Sequence, residues 1–168
     1  MKLSIIIPMY NEQESLDALF MELSGLFSQE AKTEIIFIND GSSDDTLSIL
    51  ESKIKNYPSW KVINLYRNYG KSVALQAGFD NSKGEILATM DADLQDNPKE
   101  IYNLIKELEK GYDVVSGWKK NRKDPLEKKI ASKIFNFFVR VFSGLKIHDS
   151  NCGIKVFKRE VTEMLTLY

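Results

Sequence analysis

The sequence predicts an α/β fold, with a mainly parallel central sheet and helices on both faces. Hydrophobic periodicity switches repeatedly along the 168 residues between short β-branched runs and segments with apolar residues at helical spacing. The strand-like runs are apolar almost throughout, which is the pattern of parallel strands buried on both sides. The length suits one domain with a real core.

Leu3 to Pro8 is the first strand-like run, and Glu14 to Phe27 then places Leu16, Leu19, Phe20, Leu23, Leu26 and Phe27 on one helical face. Glu34 to Asn39 reads as a strand, Thr46 to Ile54 as a helix, and Lys61 to Tyr66 as a third strand. Ser72 to Phe79 is a helix closed by the polar stretch from Asn81 to Gly84, before a fourth strand from Ile86 to Met90. Pro98 opens a helix through Lys110, as proline does in a first turn, and Asp113 to Ser116 is a fifth strand.

Composition removes several function classes. With 43% apolar and 28% charged residues the chain is neither disordered nor fibrous. Its formal charge of -1 lacks the basic excess of a nucleic-acid binder. A single cysteine, Cys152, excludes an internal disulfide and suits a reducing cytoplasm. No apolar run approaches the roughly 20 residues of a membrane span, and Lys2-Leu3-Ser4 does not open a signal peptide, so a soluble chain is expected.

In parallel α/β sheets ligands sit beyond the carboxyl ends of the strands, so those ends are read first. They carry Pro8-Met9-Tyr10-Asn11-Glu12, Asn39-Asp40-Gly41-Ser42-Ser43-Asp44, Arg67-Asn68-Tyr69-Gly70-Lys71 and Asp91-Ala92-Asp93-Leu94-Gln95. Carboxylates thus converge on one edge, where mutual repulsion calls for a cation or for ligand hydrogen bonds. Asp44 is placed to cap the second helix. Asp91 and Asp93 start no helix, and their one-residue separation suits oxygen ligation of Mg²⁺ or Mn²⁺.

Other phosphate chemistries fit poorly. A P-loop ending at Gly70-Lys71-Ser72 needs glycine where Leu65 stands, and a dinucleotide fingerprint needs glycines where Tyr10-Asn11-Glu12 stand. An aspartyl-phosphate phosphatase built on Asp91 would want a hydroxyl residue in place of Gln95.

Taken together, Pro8-x-Tyr10-Asn11-Glu12, Asn39-Asp40-Gly41-Ser42-x-Asp44, Arg67-Asn68-x-Gly70-Lys71 and Asp91-x-Asp93-Leu94-Gln95-Asp96 resemble glycosyltransferase family 2. The branch most similar contains dolichol-phosphate mannosyltransferase and bacterial polyprenyl-phosphate glycosyltransferases. It shares Ser116-Gly117-Trp118, Arg122-Lys123-Asp124-Pro125 and the segment from Asp149 to Phe157. Asn39 stands where many relatives have Asp, and Lys119 or Lys120 where many have Arg, which loses bidentate geometry.

The resemblance implies the GT-A nucleotide-sugar fold in a single catalytic domain over 1–168. Residues 1–118 would form the nucleotide-sugar part and 119–168 an acceptor-side part. Relatives usually continue past the position of Tyr168, so a C-terminally truncated chain is expected. It also implies inverting transfer from a UDP- or GDP-sugar. Pro8, Tyr10, Asn11 and Glu12 would frame the nucleoside, Ile38 and Asp40 contact the base, and Asp91 and Ala92 lie near ribose and diphosphate. Asp93, with Asp91 and Gln95, would hold the metal, while Lys71 and Arg122 add positive charge.

A phosphate monoester acceptor is largely ionised at pH 7 and needs no strong base, whereas a saccharide hydroxyl does. Asp149 is the residue for a base or acceptor-positioning role, with His148 incidental and Cys152 a packing residue. Between Lys119 and Lys146, basic residues flank a helix carrying Phe135, Phe137, Phe138 and Phe142. Such a helix suits a membrane interface or a core equally. The expected acceptor is a polyprenyl phosphate at the inner face of the cell membrane. Transfer to a saccharide hydroxyl, and sugar-nucleotide binding without turnover, are the alternatives.

Overall fold

The computed structural model describes residues 2–118 and 152–167. Arg122, His148, Asp149 and the segment between Lys119 and Lys146 in which an aromatic helix is expected lie outside the described residues.

Within them, β1 (Leu3–Met9), β2 (Thr33–Asn39), β3 (Trp60–Asn64), β4 (Ile86–Thr89), β5 (Val114–Ser116) and β6 (Lys155–Lys158) form one sheet in the order β3-β2-β1-β4-β6-β5. The first four are parallel, and β6 runs antiparallel to both of its neighbours. The sheet is therefore mainly parallel, as the apolar runs predict, and β6 comes from the short sequence Lys155-Val156-Phe157-Lys158, which carries little strand signal alone.

The helices are α1 (Leu16–Phe27), α2 (Thr46–Lys53), α3 (Lys71–Asp80), α4 (Glu100–Leu108) and α5 (Arg159–Met164). The α1 stripe of Leu16, Leu19, Phe20, Leu23 and Phe27 packs with Ile5, Ile7, Ile35 and Phe37 on one face, where Ile101 and Leu104 of α4 also lie. On the opposite face Ala74 and Phe79 of α3 cover Ile6, Ile36, Ile38 and Leu87. Both faces are covered, which explains why β1 and β2 are apolar at successive rather than alternate positions.

Phe37 is fully buried, stacked on Phe20 at 5.0 Å and tilted against Trp60 at 5.8 Å. Phe37→Ala is expected to cost about 3–5 kcal/mol through lost burial and the cavity left behind, measured by urea unfolding.

At the amino ends of β1 and β2, Ser4 Oγ donates to Glu34 Oε1 at 2.6 Å, the Lys83 backbone N–H donates to the same oxygen, and Lys61 Nζ lies 3.3 Å from Oε2. Burial pushes the Glu34 carboxyl up, but these bonds outweigh it and hold it below its ordinary 4.5. A depressed folded-state value means stability that is present above pH 4.5 and lost as pH falls through the lowered value. Glu34→Gln is expected to flatten the acid limb of stability against pH, read from unfolding midpoints across that range.

Candidate active site

The carboxyl ends of β1, β2 and β4 and the start of α3 enclose a cavity of about 270 Å³. Pro8, Tyr10, Glu12, Asp40, Lys71, Asp91, Ala92 and Asp93 all line it, so most of the residues expected at one site meet there. Met9, Asn68, Gly70 and Ala74 complete the wall. Asn68 and Gly70 belong to a motif legible in the sequence, whereas Met9 and Ala74 carry no local signal.

Hydrogen bonds between loops shape this cavity. Asn11, at φ +55°, donates its N–H to Ser42 Oγ at 2.9 Å and accepts from the Ser43 N–H at 2.8 Å. The Glu12 N–H donates to Thr46 Oγ1 at 2.9 Å. Asn11 thus ties the β1 and β2 loops together and is not part of the cavity wall. Asp44 accepts from the Thr46 N–H at 3.0 Å, at the start of α2, and from the Gln13 N–H at 3.3 Å. Desolvation pushes the Asp44 carboxyl up, but its hydrogen bonds outweigh that and leave it lowered.

Gly41, at φ +65°, lies against the next loop so closely that a Cβ would fall 2.3 Å from the Arg67 carbonyl carbon. Only glycine allows both that conformation and that approach.

The charged groups are arranged in sequence around the wall. Lys71 opens α3 and places Nζ 2.5 Å from Asp91 Oδ1. Asp93 is exposed and accepts the Gln95 N–H at 3.1 Å. The described residues of the wall bring Glu12, Asp40, Asp91 and Asp93 against the single ammonium of Lys71. An anionic ligand entering so acidic a cavity requires a cation of its own. Asp91 and Asp93 supply hard oxygen donors on one wall, a set that suits Mg²⁺ or Mn²⁺ sharing its remaining positions with phosphate oxygens and water. Among the described residues no group of three or more His, Cys, Asp or Glu side chains is assembled for a metal.

Besides Asn11, two expected residues sit outside the cavity wall. Ile38 is fully buried beneath α3 with Ile6 and Ala74 and does not reach the cavity. It shares a strand face with Asp40, but α3 covers it, while Asp40 lies beyond the strand end. Leu94, at φ +59°, reverses the chain after Asp93, and Gln95 consequently lines a separate cavity with Met21, Leu26 and Pro98. Of the three side chains expected to hold a metal, Asp91 and Asp93 line this cavity and Gln95 does not. Asp40, the expected base contact, lines the cavity but has both carboxylate oxygens engaged by backbone N–H groups of Tyr69 and Gly70.

Gly153 is a residue of this region whose role the sequence does not reveal. A Cβ there would fall 2.6 Å from Asp91 Oδ2 and 2.8 Å from Asp96 Oδ2, so the bare backbone is what leaves room for both carboxylates.

Comparison with known proteins agrees with this architecture. The dodecaprenyl-phosphate galacturonate synthase of Rhizobium johnstonii is 34% identical over 99% of the chain and 51% of its own length. The undecaprenyl-phosphate 4-deoxy-4-formamido-L-arabinose transferase of Serratia proteamaculans is 39% identical over 98% of the chain and 51% of its own. The chain spans about half the length of these curated relatives.

Among solved structures, a Pyrobaculum calidifontis mannosyltransferase in complex with GDP-Man and Mn²⁺ superposes with a TM-score of 0.75 at 22% identity, over 99% of this chain and 47% of that one. Glucosyl-3-phosphoglycerate synthase from Mycobacterium tuberculosis, with Mn²⁺, UDP and phosphoglyceric acid, gives 0.76 at 17% identity, over 95% and 56%. These likenesses establish the GT-A fold. The family described as Glycosyl transferase family 2 matches residues 4–166, and the chain belongs to it.

Proposed function

We propose that the chain forms the donor side of an inverting glycosyltransferase that moves a sugar from a nucleoside diphosphate to a polyprenyl phosphate. The observation that carries this is the meeting of Lys71, Asp91 and Asp93 in one acidic cavity at the strand ends. The curated relatives named for dodecaprenyl- and undecaprenyl-phosphate transfer support the choice of acceptor.

In this reading Pro8, Tyr10 and Glu12 frame the nucleoside and Ala92 lies beside the ribose. Asp91 and Asp93 hold Mg²⁺ or Mn²⁺, which supplies Lewis-acid neutralisation of the leaving diphosphate. Lys71 orients Asp91 and adds positive charge beside it. The acceptor phosphate is already ionised at neutral pH, so this side of the site needs no general base. Arg122 and Asp149, outside the described residues, are assigned to the leaving group and the acceptor respectively. Residues 1–118 then form most of the donor part of a single domain.

No helix among the described residues is long and apolar enough to cross a membrane. We place the enzyme at the inner face of the cell membrane, where a lipid phosphate and a soluble donor meet.

The test incubates the full-length protein with a panel of UDP- and GDP-sugars, undecaprenyl phosphate and Mn²⁺, with and without chelator. Chelator-sensitive formation of a sugar-phospholipid is expected. Transfer only to saccharide hydroxyls would overturn the acceptor assignment, and sugar-nucleotide binding without transfer or hydrolysis would overturn the enzymatic one.

A further inference from the structure

We propose that Thr89 is a positioning residue, whose hydroxyl pins the segment from Cys152 to Lys155 against Asp91 and so fixes that carboxylate for the metal. This rests on the donor-site reading above and adds to it a residue that does not line the cavity.

The register of two strands sets up the contact. In the antiparallel pair of β4 and β6, Ala88 stands opposite Val156 and Thr89 opposite Lys155. Continued by two residues, that register brings Gly153 opposite Asp91, where a Cβ on Gly153 would fall 2.6 Å from Asp91 Oδ2. Three successive carbonyls then hold the segment in place. That of Cys152 accepts from Lys155 Nζ at 2.7 Å, that of Gly153 from Thr89 Oγ1 at 3.1 Å, and that of Ile154 from the Gly117 N–H at 3.0 Å.

The first of these donors belongs to the segment itself, and the third to the chain after β5. Thr89 alone of the three comes from β4, two residues before Asp91, so its bond sets the distance between the segment and the carboxylate. Thr89 and Gly153 are both buried, and without the hydroxyl the Gly153 carbonyl loses its donor unless the backbone shifts. Asp91 is gripped from two sides, by Lys71 at Oδ1 and by the Gly153 backbone at Oδ2. Loosening the second side lets the carboxylate turn. Asp149, assigned above to the acceptor, stands four residues before Gly153, so the same bond ties the acceptor side of the chain to the donor side.

The experiment uses the full-length protein, with Thr89→Val to remove the hydroxyl and Thr89→Ser to keep it. Amide hydrogen exchange is read first, without ligand or metal. The Gly117 amide bonds the pinned segment, whereas the Lys158 amide bonds the Asp113 carbonyl at the far end of β6. Thr89→Val is expected to lower protection at Gly117 by about tenfold, the worth of one hydrogen bond, and to leave Lys158 unchanged. Thr89→Ser should keep both protected. Unchanged protection at Gly117 in Thr89→Val, or an equal fall at Lys158, would overturn the pin. Free exchange at Gly117 in the unmutated protein would do so without any variant having to fold.

The Mn²⁺ concentration that half-saturates UDP or GDP binding is then titrated by calorimetry. It is expected to rise about tenfold in Thr89→Val, the low end of what losing a group that supports a metal ligand costs, and to stay near its original value in Thr89→Ser. No rise in Thr89→Val, or an equal rise in Thr89→Ser, would overturn the proposal, because a merely structural hydroxyl moves stability and not metal affinity. Failure of the unmutated protein to bind either nucleotide would instead overturn the donor-site reading, and the exchange result alone then decides whether Thr89 seats the segment.

Discussion

Asp93→Ala is expected to leave the sheet folded and to abolish the metal dependence of nucleoside diphosphate binding. Asp93 is exposed on the loop after β4 and contributes nothing to either apolar cluster, so its removal costs little packing. In the proposed site it supplies one of two carboxylates that bind the cation. Loss of even an outer-shell partner costs a metal site roughly 10–100-fold in affinity, and loss of a direct ligand should exceed that. Titration calorimetry with UDP and GDP, in Mn²⁺ and in chelator, reads the effect. Undiminished Mn²⁺-dependent affinity in the variant would remove Asp93 from the metal set, and chelator-insensitive binding in the unmutated protein would remove the metal.

Gly153→Ala should separate activity from stability. The added Cβ would fall 2.6 Å from Asp91 Oδ2 and 2.8 Å from Asp96 Oδ2, distances no real contact shows. Both neighbours are ends of side chains, which can rotate away, so the backbone need not move. The Thr89 hydroxyl still donates to the Gly153 carbonyl at 3.1 Å. The expected outcome is a small change in melting temperature together with loss of turnover by about a hundredfold, the scale associated with a 1 Å misplacement in a reacting site. Sugar transfer at the unmutated rate would mean that the position of Asp91 is immaterial to the chemistry.

Much of this site is legible in the chain itself because its parts are short and follow strands. Pro8 near the end of β1, Tyr10 and Glu12 after it, Lys71 after the β3 loop, and Asp91 to Asp93 after β4 are each found by asking what stands at a carboxyl strand end. Ile38 is as near its strand end as Pro8 is, but α3 covers it and keeps it from the cavity. Gln95 follows Asp93 closely in sequence, but the left-handed turn at Leu94 directs it to another cavity. Gly153 has no local pattern to mark it, since its importance lies in what it does not carry.

The sequence by itself determined the strand and helix succession, the faces buried by α1, and the set of carboxylates gathered at one sheet edge. These depend on periodicity within a few residues, and that periodicity is a local property of the chain. Only the tertiary structure decided that β6 enters between β4 and β5, that Gly153 meets Asp91, and that Asp40 turns to the amides of Tyr69 and Gly70. A carboxylate at a sheet edge can accept from any loop that comes within reach. Which loop does so follows from strand order and helix placement across 30 residues of chain, and no local pattern encodes that choice.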